Sequence, residues 1–300
     1  MGDFPRLVVC LVVHHVVGLN LRMSLGIVFK GTAGVVLAAD SRVTLLTSAA
    51  NPGSPQPFML PSAFDNASKM LKVKGQDFVG AITYGAGAMG NLEPRTASSY
   101  LPEFEAELSG QERMTVEAFA EKLGAFFHKR WTLNKMPSNP LITDNMIFLV
   151  AGYDDASASY GRVFEVDVPS RIKPTELIGG QFGAVWGGQR DLIDRLIQGF
   201  DASVPQAVQE ILGVPLERRS PTLDQDLKNR FTLPIPWQFL PLQDCVDLSI
   251  FLVRSTIELQ KWTIGIRGVG GAVDIATITR TDGFKDVQIK QITGERRAFR

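Results

Sequence analysis

Two runs, Ser24-Leu-Gly-Ile-Val-Phe-Lys30 and Gly34-Val-Val-Leu-Ala-Ala-Asp-Ser-Arg42, decide how this chain folds. Both are short, apolar and rich in β-formers, with the small residues Gly31-Thr-Ala-Gly34 between them, a pattern that predicts a β-hairpin. The hairpin opens at a serine preceded by Met23 and closes at an acid beside a base, Asp40 and Arg42. A chain beginning at Ser24 would carry a hydroxyl and a free α-amine on one residue, which unites nucleophile and base.

The composition sets the outer limits. The chain has 300 residues, 45% hydrophobic and 21% charged, which is globular usage with room for a large core. Lys plus Arg and Asp plus Glu each number 31, so the formal net charge is zero. No global field draws the chain to nucleic acid or an anionic membrane, and neither is expected as a partner. Two cysteines, Cys10 and Cys245, make no disulfide framework and suit a reducing, cytoplasmic setting. With three histidines (His14, His15, His128) and so few thiols, neither structural zinc nor any other cofactor is expected. A histidine-dependent serine hydrolase is disfavoured too, because the chain lacks a Gly-x-Ser-x-Gly elbow. Gly85-Ala-Gly-Ala-Met-Gly90 spaces like a dinucleotide fingerprint but lacks the helix and downstream acid that such a site needs.

Residues 1–23 contain the apolar run Leu7-Val-Val-Cys-Leu-Val-Val-His-His-Val-Val-Gly18, too short to span a bilayer. Three readings stand: a propeptide, a weak signal peptide, or an extension upstream of a start at Met23. The last is narrowly preferred, since Met-Ser is a processable start. Residues 24–300 are expected to form one domain with inserts near 45–68 and 213–241.

Along that domain, strands are predicted at 25–30, 34–39, 69–73, 77–83, 145–153, 162–168, 182–186, 272–279 and 287–292. Leu45–Ser68 carries Pro52, Pro55, Pro57 and Pro61 and is expected to be a long surface loop. Val116, Phe119, Ala120, Leu123, Phe126 and Phe127 recur at helical spacing and predict a helix to about Trp131, with His128 beside the stripe. Further helices are predicted from Gln189 to Phe200 and from Asp244 to Ile264. The second would carry Val246, Ile250, Phe251, Val253 and Ile257. Gly213–Pro241 reads as a proline-marked excursion, a candidate lid or inter-subunit contact. This order lacks the alternation of a parallel α/β sheet and suits an α+β fold of two antiparallel sheets packed face to face, helices outside.

The hairpin, with Ser68-Lys-Met-Leu-Lys-Val73, the Gly85 turn, Gly161-Arg-Val-Phe-Glu-Val-Asp167 and Gly187-Gly-Gln189, resembles proteasome β-type subunits. These are amino-terminal-nucleophile hydrolases. The resemblance covers most of residues 24–200 and returns weakly at Gly270-Gly-Ala-Val-Asp-Ile275, the Ala-Asp-Ser-Arg strand end being its most specific piece. It implies a four-layer αββα sandwich and peptide-bond hydrolysis through an acyl-enzyme. Ser24 would be the nucleophile, Lys69 the buried lysine that keeps the α-amine neutral, and Asp40 the carboxylate that holds Lys69. Gly85 would offer its N–H to the oxyanion. The implied partners are a peptide or unfolded-protein substrate, copies of the chain in a ring, stacked ring or spiral, and a candidate ATPase.

Three departures accompany the resemblance. Serine replaces the usual threonine, the 45–68 insert is extra, and Ile266 and Val269 stand where the family often has an Asp and a Ser supporting the terminal amine. A non-catalytic structural subunit and a small-amide amidohydrolase therefore remain alternatives.

Overall fold

The structure, a computed structural model, describes residues 23–49, 58–90, 93–138, 144–215, 218 and 220–292. The extension at 1–22, with His14 and His15, lies outside the described residues.

The first hairpin forms as expected: β1 (Leu25–Lys30) pairs antiparallel with β2 (Val35–Asp40), and every residue of both is buried. A continuous apolar run is what a strand covered on both faces requires. Alternate residues go to opposite sides. Leu25, Ile27, Phe29, Val36 and Ala38 join one apolar cluster, whereas Val28, Val35, Leu37 and Ala39 join another.

Two more strands follow. β3 (Val43–Ala49) and β4 (Phe58–Phe64) form a separate antiparallel ribbon where a loop was expected. The prolines do not forbid it. Pro61 sits opposite Leu46 in a two-stranded ribbon, both of whose strands are sheet edges, where proline is tolerated.

Next come β5 (Met70–Leu71), β6 (Val79–Gly85), α1 (Leu101–Glu107), α2 (Val116–Leu133), β7 (Met146–Gly152), β8 (Arg162–Val168), β9 (Arg171–Leu177) and β10 (Gly183–Gly188). The chain ends through α3 (Asp191–Ile197), α4 (Val204–Ile211), α5 (Leu223–Phe231), α6 (Leu242–Gln260), β11 (Val273–Thr279) and β12 (Gly283–Gln288). Strands β5-β6-β7-β8-β9 make one antiparallel sheet, and β10-β1-β2-β11-β12 make another. The fold is therefore α+β with antiparallel sheets.

Val28, Leu37 and Ala276 of one sheet meet Ile82, Leu149 and Ala151 of the other in a shared apolar cluster. On its other face the β5–β9 sheet packs Phe148, Val150 and Val166 against Phe119, Leu123, Phe127 and Trp131 of α2. Each such ring, fully buried, contributes roughly 1.5–3 kcal/mol. Thr115 starts that helix by accepting the Ala118 N–H at 3.2 Å. On the β1/β2 sheet, Ile193 of α3 and Val246, Leu252, Val253 and Ile257 of α6 cover the outer face.

Several readings shift. On α6 the buried residues include Cys245, Val246, Ser249, Leu252, Val253, Thr256 and Ile257, and Phe251 is 54% exposed. The last strand is Gly283–Gln288 rather than 287–292. The 213–241 excursion contains α5 and a short 3-10 turn at Trp237–Phe239, whose Trp237 packs on Phe29 with ring centroids 5.6 Å apart. No helix among the described residues is long and apolar enough to cross a membrane.

Candidate active site

The hairpin register places the start of β1 beside the end of β2. Gly26 stands opposite Ala39, so Leu25 comes next to Asp40 and its N–H donates to Asp40 Oδ1 at 2.9 Å. Three further donors reach the same carboxylate, which is fully buried. Lys69 Nζ donates to Oδ1 at 2.5 Å, and the Arg42 and Gly270 N–H groups donate to Oδ2 at 3.1 and 2.9 Å. The loop before β11 thus fastens onto the end of β2.

Lys69 immediately precedes β5 and is itself 3% exposed. Burial pushes its ammonium below the ordinary lysine range, and the Asp40 carboxylate opposes that shift. Arg42 and Lys290, both cationic, push it further down. A buried pair like this costs about 3–5 kcal/mol when one partner is removed, because the other charge is left uncompensated.

Gly85 ends β6 with φ of +87°, and a side chain there would put Cβ 2.1 Å from the Asn145 carbonyl oxygen. Only glycine fits. Its N–H donates to the Met23 carbonyl oxygen at 3.3 Å. That carbonyl belongs to the peptide bond leading into Ser24.

Ser24 is 2% exposed and is held by main chain on both sides: its N–H donates to the Gly268 carbonyl at 2.9 Å, and its own carbonyl accepts the Gln189 N–H at 2.8 Å. Its φ of 76° lies in the left-handed region, a strained setting for a non-glycine residue that costs of order 1–3 kcal/mol. Ser24 and Lys69 border one small cavity together with Val43, Ser68 and Thr83. The Thr83 hydroxyl is buried there without a hydrogen-bond partner among the described residues.

All four residues expected from the sequence, Ser24, Asp40, Lys69 and Gly85, therefore meet at one end of the two sheets. The sequence reading missed the main-chain groups that complete the site: the carbonyls of Met23 and Gly268 and the N–H of Gly270. Backbone donors and acceptors leave no mark in a sequence. Ile266 and Val269 supply no polar side chain; Val269 is buried, and its N–H donates to Gln260 Oε1 at 3.1 Å.

Nearby, Arg42 grips Asp65, just after β4, through Nε and Nη2 at 2.5 and 2.8 Å. This bond holds the Asp65 carboxyl below its usual range. His128 lies half-buried on α2 and borders none of this cavity. Among the described residues no cluster of His, Cys, Asp or Glu has metal-binding form.

No protein-family model and no curated protein matches this sequence.

Proposed function

We propose that this chain is an amino-terminal-nucleophile peptidase of proteasome type, with Ser24 as nucleophile once residues 1–23 are gone. The observation that carries this reading is the Met23 carbonyl seated on the Gly85 N–H, beside Ser24 and the buried Asp40–Lys69 pair. The two facing sheets with helices packed on their outer faces support the finer description, a four-layer αββα sandwich.

The uncut chain presents its own first substrate. A carbonyl that accepts an N–H is polarised toward attack. Ser24 Oγ would bond to the Met23 carbonyl carbon, the C–N bond to Ser24 would break, and the hydroxyl proton would pass to the departing nitrogen. That nitrogen becomes the free α-amine, and water then hydrolyses the Met23 ester. The left-handed backbone at Ser24 favours this step, since cutting the bond relieves the strain. The Gly85 N–H is thereby released and can receive a substrate carbonyl.

In the turnover that follows, the α-amine, ordinarily of pKa about 7.7–8.0, takes the Ser24 hydroxyl proton near neutral pH. Ser24 Oγ attacks the peptide carbonyl, the oxyanion takes the Gly85 N–H, and the amine returns its proton to the leaving nitrogen. Water hydrolyses the resulting ester. Lys69, held by Asp40, places a cation near the amine and favours its neutral form. A cytoplasmic, self-assembling particle, fed by an ATPase, is the setting this reading implies.

One observation favours a non-catalytic subunit instead: among the described residues no acid or hydroxyl side chain supports the Ser24 nitrogen, which donates to the Gly268 carbonyl. Incubation of the full chain with a β-lactone, followed by peptide mass mapping, separates the two. The peptidase reading expects an acyl adduct on Ser24 that Ser24→Ala lacks. An unmodified protein that keeps residues ahead of Ser24 would favour the non-catalytic reading.

A further inference from the structure

Strand pairing sets Lys69 opposite Thr83. In the antiparallel pair of β5 and β6, Met70 faces Ile82, and the register runs on by one residue: the Thr83 N–H donates to the Lys69 carbonyl at 3.0 Å. Residues directly opposite in such a pair send their side chains to the same face, with Cβ atoms about 4.5–5.5 Å apart. Both side chains leave on the side of the small cavity beside Ser24, and both residues line it.

Each of the two has hydrogen-bonding capacity left over. Thr83 is 6% exposed, and its hydroxyl meets no partner among the described residues. A buried hydroxyl without a partner costs free energy, and valine would fill the same space in a strand without that cost. The Lys69 ammonium has three N–H donors, and Asp40 Oδ1 takes one of them. The cavity between them gives a water-sized sphere about 10 Å³. That is close to the room one water needs, and a buried water takes roughly two to four polar partners. Thr83 Oγ1 and Lys69 Nζ supply two, with the side chains of Ser24 and Ser68 on the same wall.

We infer that Thr83 is a positioning residue of the Ser24 site, its hydroxyl and the Lys69 ammonium holding one water molecule between them. The water accepts a hydrogen bond from Nζ and donates one to Thr83 Oγ1, which engages a second lysine donor and fixes the ammonium beside Ser24. The inference rests on the peptidase reading only for its consequence in catalysis. A hydrogen bond to the charged form favours that form, so the water supports Lys69 as a cation against the burial that pushes it toward neutrality. The charged groups that face Lys69 are Asp40 and Arg42 at and after the end of β2, Asp65 after β4, and Lys290 after β12, with the Ser24 amine joining them in the cut chain. Thr83 carries no charge, so a substitution there leaves all of them in place.

A crystal structure of the full chain tests the water directly. It should show one water within about 2.7–3.2 Å of both Thr83 Oγ1 and Lys69 Nζ, and a cavity without water density overturns the inference. The positioning role is read by titrating the full chain with lysine labelled at Cε, the Lys69 signal being assigned by its loss in Lys69→Arg. Thr83→Val, of the same shape, should lower the Lys69 midpoint by about half a unit or more, and Thr83→Ser should restore it. If Thr83→Val does not fold, Thr83→Ala takes its place with the same expectation. An unmoved midpoint in the folded variant overturns the role. Urea unfolding adds a second check. Were the hydroxyl without any partner, Thr83→Val would unfold at higher urea than wild type, and that rise too would contradict the inference. In the pH profile of kcat/KM the alkaline limb should move to lower pH in Thr83→Val and return in Thr83→Ser, a shift that a merely structural hydroxyl would not produce. A wild-type chain that hydrolyses no peptide refutes the peptidase reading, and the Lys69 titration still decides the role of Thr83.

Discussion

Two buried carboxylates, Asp40 and Asp194, have similar surroundings and different consequences. Asp40 is fully buried and takes the N–H groups of Leu25, Arg42 and Gly270 together with the Lys69 ammonium. Asp194, 2% exposed on α3, takes Trp186 Nε1 at 2.8 Å, Arg190 Nε at 2.7 Å and Gln198 Nε2 at 3.1 Å. Saturation alone does not mark chemistry, because any buried carboxylate must be satisfied. The difference lies in what the donors do next. Those around Asp194 tie a helix to the edge strand β10. Those around Asp40 hold a lysine and two loops against Ser24 and the Met23 carbonyl.

That contrast can be broken experimentally. The largest effect belongs to Ser24→Ala, expected to abolish both release of residues 1–23 and peptide hydrolysis, a loss of at least about a thousandfold. Its unfolding free energy should stay within about 1 kcal/mol of wild type in urea titrations. Asp40→Asn should cost about 3 kcal/mol of stability, since it strands the buried Lys69 ammonium, and hydrolysis should fall with it. Asp194→Asn sharpens the comparison from the other side. It should cost about 1–3 kcal/mol by the same unfolding measurement, with kcat/KM within about threefold of wild type.

The smallest effect is expected at Asp65, whose side chain is 45% exposed against Arg42. Asp65→Asn should change stability at neutral pH by less than about 1 kcal/mol. The sign of its pH dependence is fixed. Arg42 depresses the Asp65 carboxyl in the folded state, so its stabilisation is present above the unfolded carboxyl range and fades as pH falls through the lower folded value. Thermal melts from about pH 6 to pH 3 should therefore show a shallower acid loss in Asp65→Asn than in wild type.

The parts of this molecule that were legible in its sequence are those whose side chains speak for themselves. The β1–β2 hairpin reads directly, because strands covered on both faces need unbroken apolar runs. The α2 stripe reads because its aromatic residues repeat at helical spacing. The β3–β4 ribbon was hidden by prolines that an edge tolerates. Strand β9, Arg-Ile-Lys-Pro-Thr-Glu-Leu, was hidden by polarity, since it is a largely exposed sheet edge. At the site, Asp40 stands out at the end of a strand, but Lys69 and Gly85 needed the family resemblance to be singled out. Thr83 reads as one more residue of an apolar strand, and only the pairing of β5 with β6 sets it opposite Lys69.

The central claim is that Ser24 becomes the amino terminus, and intact mass of the purified full chain tests it most directly. The account expects wild-type protein beginning at Ser24 and Ser24→Ala protein that keeps residues 1–23. A wild-type chain that hydrolyses peptides while still carrying Met23 would contradict it.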